Sequence, residues 1–296
     1  MRLITRPSLD GVMCAVFLGI VEKFEQVIYA NPSDIEDGSQ TVEKGDYIAN
    51  LPYNPNAGAW FDHHELAEIV HDVMPSVKGS RGQASSSSRL VYEYYEEQRL
   101  KKFEPILTEV DRISTGDLTV DEVLNPERWV LLSFTLDPYL GLSGFHDYAN
   151  VVVTALRQGL NIEQILDIPE VQGRIKRYRL DVEDFIDYLH QVSRVEDNVL
   201  VTDSRLSDLA PTGNRFLAFA LYPDVNVQIV ITKHSGKAKT RVRLGKSIFN
   251  RTCSIRLGNL AAEYGGGGLR GASGFLLDNA TADATIAEII VRLKGH

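Results

Sequence analysis

Short apolar runs, each followed by a turn or a helical stretch, constrain the fold of this chain more than any other feature. Arg2-Leu3-Ile4-Thr5 reads as a first strand, and residues 11–24 as the helix after a tight turn. Gln26 to Ala30 reads as a second strand, Asp46 to Leu51 as a third and Ala59 to Phe61 as a fourth. Strands alternating with helices predict an α/β fold built on a parallel sheet. Ligands of such sheets gather outside the carboxyl ends of the strands. The residues beside those ends are therefore the first candidates for chemistry.

Asp10, Asp46 and the tripeptide Asp62-His63-His64 all lie just after or near these strands, and Asp111 follows in Glu109-Val110-Asp111-Arg112. Carboxylates with a neutral imidazole are the donors expected for Mn²⁺, Mg²⁺ or Zn²⁺. One Asp-His-His is weak evidence, because such residues often sit on solvated loops. Several spaced elements are stronger. His146 and Asp147 read as surface residues of a helical region, Asp117 and Asp137 as helix or turn caps, and Cys14 as core.

The chain has 296 residues, enough for two domains. A hydrophobic content of 44% with 24% charged residues is ordinary for a globular protein. The net charge of -9 argues against gripping long nucleic acid. Lys233, Lys237, Lys239, Arg241, Arg243, Lys246, Arg251 and Arg256 nevertheless make the C-terminal part locally basic. Two distant cysteines form no disulfide framework and suggest a reducing compartment. Residues 12–21 are apolar but too short to span a bilayer, and no signal-peptide layout is legible. The expected location is cytoplasmic, with no membrane association.

Ser85 to Ser88 reads as a helix cap ahead of a helix at residues 89–99. Residues 103–190 are mostly helical in pattern, and Val195-Glu196-Asp197-Asn198 reads as a hinge. Strand patterns return at Val199 to Thr202, Phe216 to Tyr222, Val225 to Thr232 and Thr240 to Leu244, with a final helix from Thr281 to Lys294. The expected domains are 1–195 and 196–296. The second contains Gly265-Gly266-Gly267-Gly268-Leu269-Arg270-Gly271, where glycines expose N–H groups to anions and Arg270 offers a planar cation. The alternative is a loop required only for packing. A dinucleotide fingerprint is excluded, because too little chain follows for the βαβ unit it needs.

Taken together, Arg6 to Gly11, Asp46, Asp62-His63-His64, Asp111 and the glycine run resemble the DHH phosphoesterase superfamily with a C-terminal DHHA1 domain. Thr5-Arg6 and Asn50-Leu51-Pro52-Tyr53 are most similar to its exopolyphosphatase-related branch. The resemblance implies an N-terminal parallel-sheet DHH domain with a helical C-terminal part, followed by a smaller α/β DHHA1 domain that closes over phosphate. It implies two metals, but Arg6 and Ser8 stand where two ligands of the first would be, and Leu269 stands where the glycine motif has a His. One Mn²⁺ or Mg²⁺ ion is therefore expected, held by Asp10, Asp46, His63 and Asp111. His64 and Arg6 are the expected catalytic groups, with Arg6 pairing with Asp46 or with a phosphate. Gly266, Gly267, Gly268 and Arg270 are expected to bind the distal phosphate.

The function implied is metal-dependent hydrolysis of a phosphoester or phosphoanhydride in a small substrate, polyphosphate or nucleotide-like. The alternative is a catalytically impaired module that binds a phosphorylated ligand. The resemblance also allows a homodimer, since many relatives form one, but the sequence shows no interface.

Overall fold

A computed structural model of the protein describes residues 1–64, 77–136, 144–207, 213–234 and 238–296. Asp137 and Lys237 lie outside the described residues. The chain divides into two compact units. One gathers Met1–His64, Val73–Leu118 and Asn125–Arg179, and the other takes in Thr119–Leu124 and Leu180–His296.

The first unit begins with β1 (Arg2–Thr5), α1 (Leu9–Val21), β2 (Gln26–Tyr29), α2 (Pro32–Glu36), β3 (Tyr47–Ala49), β4 (Ala59–Asp62) and β5 (Lys78–Arg81). The five strands form one sheet in the order β2-β1-β3-β4-β5, and every neighbouring pair is parallel. The predicted α/β class is realised. Leu3, Ile4, Ile48, Ala49 and Ala59 to Phe61 are buried. Continuous apolar runs of this kind mark parallel strands covered on both faces. Helix α1 is apolar all round, with residues 9–18 buried, as expected of a helix sunk in a core. Strand β5, Lys-Gly-Ser-Arg, carries no apolar pattern and was invisible to it. Gly79 permits its pairing, since a Cβ there would stand 2.0 Å from the Trp60 carbonyl oxygen.

Helix α3 (Ser87–Tyr95) follows, then α4 (Glu104–Ser114), α5 (Val120–Leu124), α6 (Arg128–Thr135), α7 (Phe145–Gln158), α8 (Ile162–Leu166) and α9 (Pro169–Val192). His146 and Asp147 are exposed in the first turn of α7, and Cys14 is buried in α1.

The second unit is built on β6 (Ser193–Glu196), β7 (Val199–Asp203), β8 (Val227–Lys233), β9 (Lys239–Lys246), β10 (Gly267–Gly268) and β11 (Ala272–Asp278), in the order β10-β11-β9-β8-β7-β6. Only the β7–β8 pair is parallel. Helices α10 (Leu217–Leu221), α11 (Leu257–Ala262) and α12 (Asn279–Leu293) complete it. Val227, Ile229, Val242, Leu257, Ile286 and Ile289 share its core.

Two local readings are corrected. The expected hinge at residues 195–198 is a tight β6–β7 turn, with Asp197 at φ 61°. Phe216 to Tyr222 is not a strand but contains the short helix α10. Leu217 to Ala220 are all buried, so alternation of large and small residues there did not reveal a period. Among the described residues, no helix is long and apolar enough to cross a membrane.

Candidate active site

Because the five strands run the same way, their carboxyl ends share one edge of the sheet. The register places Thr5 beside Tyr29 and Ala49, Ala49 beside Phe61, and Asp62 beside Arg81. The chain leaves this edge at Arg6, Asn50 and His63. Helix α1 starts there, its N-cap Ser8 accepting the Gly11 N–H at 3.2 Å. Gly11 is required, since a Cβ at that position would lie 1.9 Å from the Arg6 carbonyl oxygen.

Asp10, in the first turn of α1, is 4% exposed. Its carboxylate accepts the backbone N–H groups of Ser87 at 3.0 Å and Ser88 at 2.8 Å. These are the first amides of α3, which lack partners within their own helix. The helix terminus thus solvates a buried anion in place of water. Ser86 caps α3 through the Arg89 N–H, as the serine run predicts. The Ser86 hydroxyl donates to Asp111 Oδ1 at 2.6 Å, and Arg89 Nε and Nη2 donate to Oδ2 at 2.8 and 2.6 Å. Asp111 is thereby engaged at both oxygens. These bonds fasten Asp111 to the first turn of α3.

Asp62 and the two histidines form a compact donor set at the end of β4, with one ligand atom from each lying within 4.8 Å of the others. His64 Nδ1 is 2.7 Å from Asp62 Oδ1. His63 Nδ1 is 2.8 Å from Ser87 Oγ and 3.8 Å from Asp10 Oδ2, and the two imidazoles lie 4.1 Å apart. Burial, the largest influence, pushes the His63 imidazole below its ordinary pKa. His64 and Arg6 act in the same direction, against the pull of Asp10 and Asp62. A neutral imidazole keeps a lone pair for a metal. In the tautomer whose Nδ1–H donates to Ser87, Nε2 carries that pair, and the hydroxyl fixes the ring orientation. Cys14, one turn after Asp10, has its thiol pushed well up by burial and then by the Asp10 and Asp62 charges, so it stays protonated.

Asp46 is not brought to this edge. It precedes β3 and therefore sits at the amino end of the sheet, where Arg2 donates to its carboxylate from Nη2 at 2.5 Å and from Nε at 3.1 and 3.2 Å. The expected pairing of Arg6 with Asp46 is replaced by this Arg2 pair. At about 3.3 Å per residue, β3 and its flanking residues separate Asp46 from the carboxyl edge by more than 10 Å. The residue that does reach the edge at the end of β3 is Asn50. It is 3% exposed and has φ 59°. Its N–H donates to the Phe61 carbonyl at 2.9 Å, and its Nδ2 lies 3.2 Å from Ser8 Oγ. Sequence reasoning passed over Asn50 because it carries no charge. Its position directly after an apolar strand was the available signal.

In the second unit, the glycine run forms a hairpin. Gly267 and Gly268 of β10 pair with Gly274 and Ser273 of β11. Gly268, at φ 143°, would direct a Cβ into the Ala272 carbonyl at 2.5 Å, so glycine is required by the turn itself. Arg270 is exposed at the tip, while its carbonyl accepts the Leu257 N–H. Burial lowers the pKa of nearby Lys246, Arg270 adds to the effect and Cys253 opposes it, which places two cations at this hairpin.

No protein-family model matches the chain, and a search of curated proteins gives no significant match. Solved structures do match. A pGpG-specific phosphodiesterase, PggH, from Vibrio cholerae is 30% identical, with a TM-score of 0.76 over 99% of this chain and 98% of that one. RecJ from Thermus thermophilus, crystallised with Mn²⁺, is 14% identical at a TM-score of 0.50, over 99% of this chain and 51% of that one. An exopolyphosphatase-related protein from Bacteroides fragilis is 12% identical at a TM-score of 0.48, over 92% and 85% of the respective chains.

Proposed function

The chain belongs to the DHH/DHHA1 phosphoesterase superfamily, and from that premise we propose that it is a divalent-metal-dependent hydrolase of a small phosphodiester. The observation that carries this reading is the Asp62-His63-His64 cluster facing Asp10 at the carboxyl edge of the sheet. A linear dinucleotide, the substrate class named for the Vibrio relative, is the preferred substrate.

The donor set fits a divalent ion. Two buried carboxylates with neutral imidazole suit Mn²⁺ or Mg²⁺, and the RecJ relative was crystallised with Mn²⁺. We assign the ion to Asp10, Asp62 and His63. Bound there, it supplies Lewis acidity toward a phosphoryl oxygen and a water of lowered pKa.

The remaining roles fall to the chain's own groups. Ser87 orients His63 through Nδ1. The α3 amides hold Asp10 in place. His64, fixed by Asp62, is positioned to hand a proton to the leaving oxygen. Arg6, whose charge is felt at His63, binds a non-bridging phosphate oxygen. In the second unit, considered by itself, Gly266 to Gly268 and Arg270 are the groups we propose to bind phosphate.

A second reading, a phosphate-binding module without turnover, is favoured by one observation: Asp46 and Asp111, two expected ligands, are both held by arginines. One experiment separates the two. Wild type, Asp62→Asn and His63→Ala are incubated with pGpG and Mn²⁺. Turnover by wild type that falls by at least about a hundredfold in both variants supports the hydrolase. Binding without turnover supports the module, and full activity in either variant overturns the assigned site.

A further inference from the structure

Asn50 combines three properties seldom found together. It is almost wholly buried, it adopts a left-handed backbone conformation, and among the described residues its Oδ1 has no hydrogen-bond partner. An orphaned buried amide oxygen is costly, and left-handed strain in a non-glycine residue persists where the surroundings impose it, commonly at functional sites. Both features meet at one position on the carboxyl edge.

The neighbours fix where this side chain stands. Asn50 N–H is tied to the Phe61 carbonyl, so residue 50 lies against the end of β4, immediately before Asp62 and His63. Its amide nitrogen is directed at Ser8 Oγ, the cap of the helix that carries Asp10. The carboxamide therefore lies between the α1 turn and the end of β4, with its nitrogen engaged and its oxygen left over. An amide oxygen is a neutral hard donor of the kind that binds Mg²⁺ and Mn²⁺.

We propose that Asn50 Oδ1 is a ligand of the divalent ion held by Asp10, Asp62 and His63. This inference rests on the metal-dependent reading above. The ion is then held by two carboxylates, one imidazole and one neutral amide oxygen.

The test is calorimetric titration of the metal-stripped full chain with MnCl₂, on wild type, Asn50→Gly and Asn50→Asp. Glycine relieves the positive φ and deletes only the amide, so the variant keeps its fold, checked by circular dichroism. The expected result is one site in wild type, affinity weaker by about ten- to a hundredfold in Asn50→Gly, and tighter binding or a second site in Asn50→Asp. Wild-type affinity in Asn50→Gly overturns the ligand assignment and leaves the metal-dependent reading intact. Absence of Mn²⁺ binding in wild type overturns the reading itself.

Discussion

Replacing Asp10 by Asn tests whether a single carboxylate both fastens α3 and serves the site. The substitution keeps the shape but turns one acceptor into an N–H₂ facing the amides of Ser87 and Ser88, now 3.0 and 2.8 Å from the carboxylate. One charge-assisted hydrogen bond, worth about 1.5–3 kcal/mol, is lost and one buried N–H is left unsatisfied at about 1–3 kcal/mol. The favourable interaction with the helix terminus, about 0.3–2 kcal/mol, disappears as well. Against these losses stands relief of the cost of burying a charge, several kcal/mol. The expected net destabilisation is about 2–3 kcal/mol. The assay is thermal unfolding in excess chelator, which isolates the structural contribution from any bound ion. At roughly 2–4 °C per kcal/mol for a unit of this size, the transition drops by about 4–12 °C. Adding Mn²⁺ then raises the wild-type midpoint more than that of the variant. An unchanged midpoint in chelator would refute the claim that Asp10 holds α3.

Further outcomes follow from other contacts. Gly11→Ala forces a Cβ against the Arg6 backbone and is expected to cost at least about 3 kcal/mol, a severe overpacking, read as a loss of soluble folded protein. Arg89→Ala frees Asp111 and Glu104 from their shared cation and is expected to cost about 1–3 kcal/mol in urea denaturation. Glu22 receives hydrogen bonds from Lys78, Tyr95 and Tyr47 that outweigh its burial and hold its pKa below the ordinary 4.5. Because that pKa is depressed on folding, the stability it contributes is complete above the unfolded value and is lost as pH falls through the folded one. The half-exposed pair contributes about 1 kcal/mol, so the gap between wild type and Glu22→Gln in denaturant closes below about pH 4.5. A gap that stays constant as the pH is lowered through the acid limb of the unfolding curve would exclude this linkage.

The parallel sheet was legible because β1, β3 and β4 are apolar runs followed by punctuation, and Asp62-His63-His64 was legible because its residue types carry their chemistry openly. The direction of β3 was not. Tyr47-Ile48-Ala49 is flanked by Asp46 on one side and Asn50 on the other, and the carboxylate drew the assignment although the carboxyl end belongs to the amide. The partner that claims Asp46, Arg2, lies in β1, and such long-range pairing leaves no local trace. Likewise the contacts of Ser86 and Arg89 with Asp111 join segments more than twenty residues apart, which no local pattern shows. Strand β5 is polar and is held by the Trp60 backbone, so no periodicity announced it.

Ser86 to Ser88 form the only turn that touches Asp10, His63 and Asp111 together among the described contacts. Three chain segments, far apart in sequence, are thus ordered by a single turn of helix. Fraying of that turn withdraws the amides from Asp10, the hydroxyl from His63 and the cap from Asp111 in one event. The site is consequently coupled through this one turn. Hydrogen exchange at the Ser87 and Ser88 amides should therefore report on the whole cluster at once.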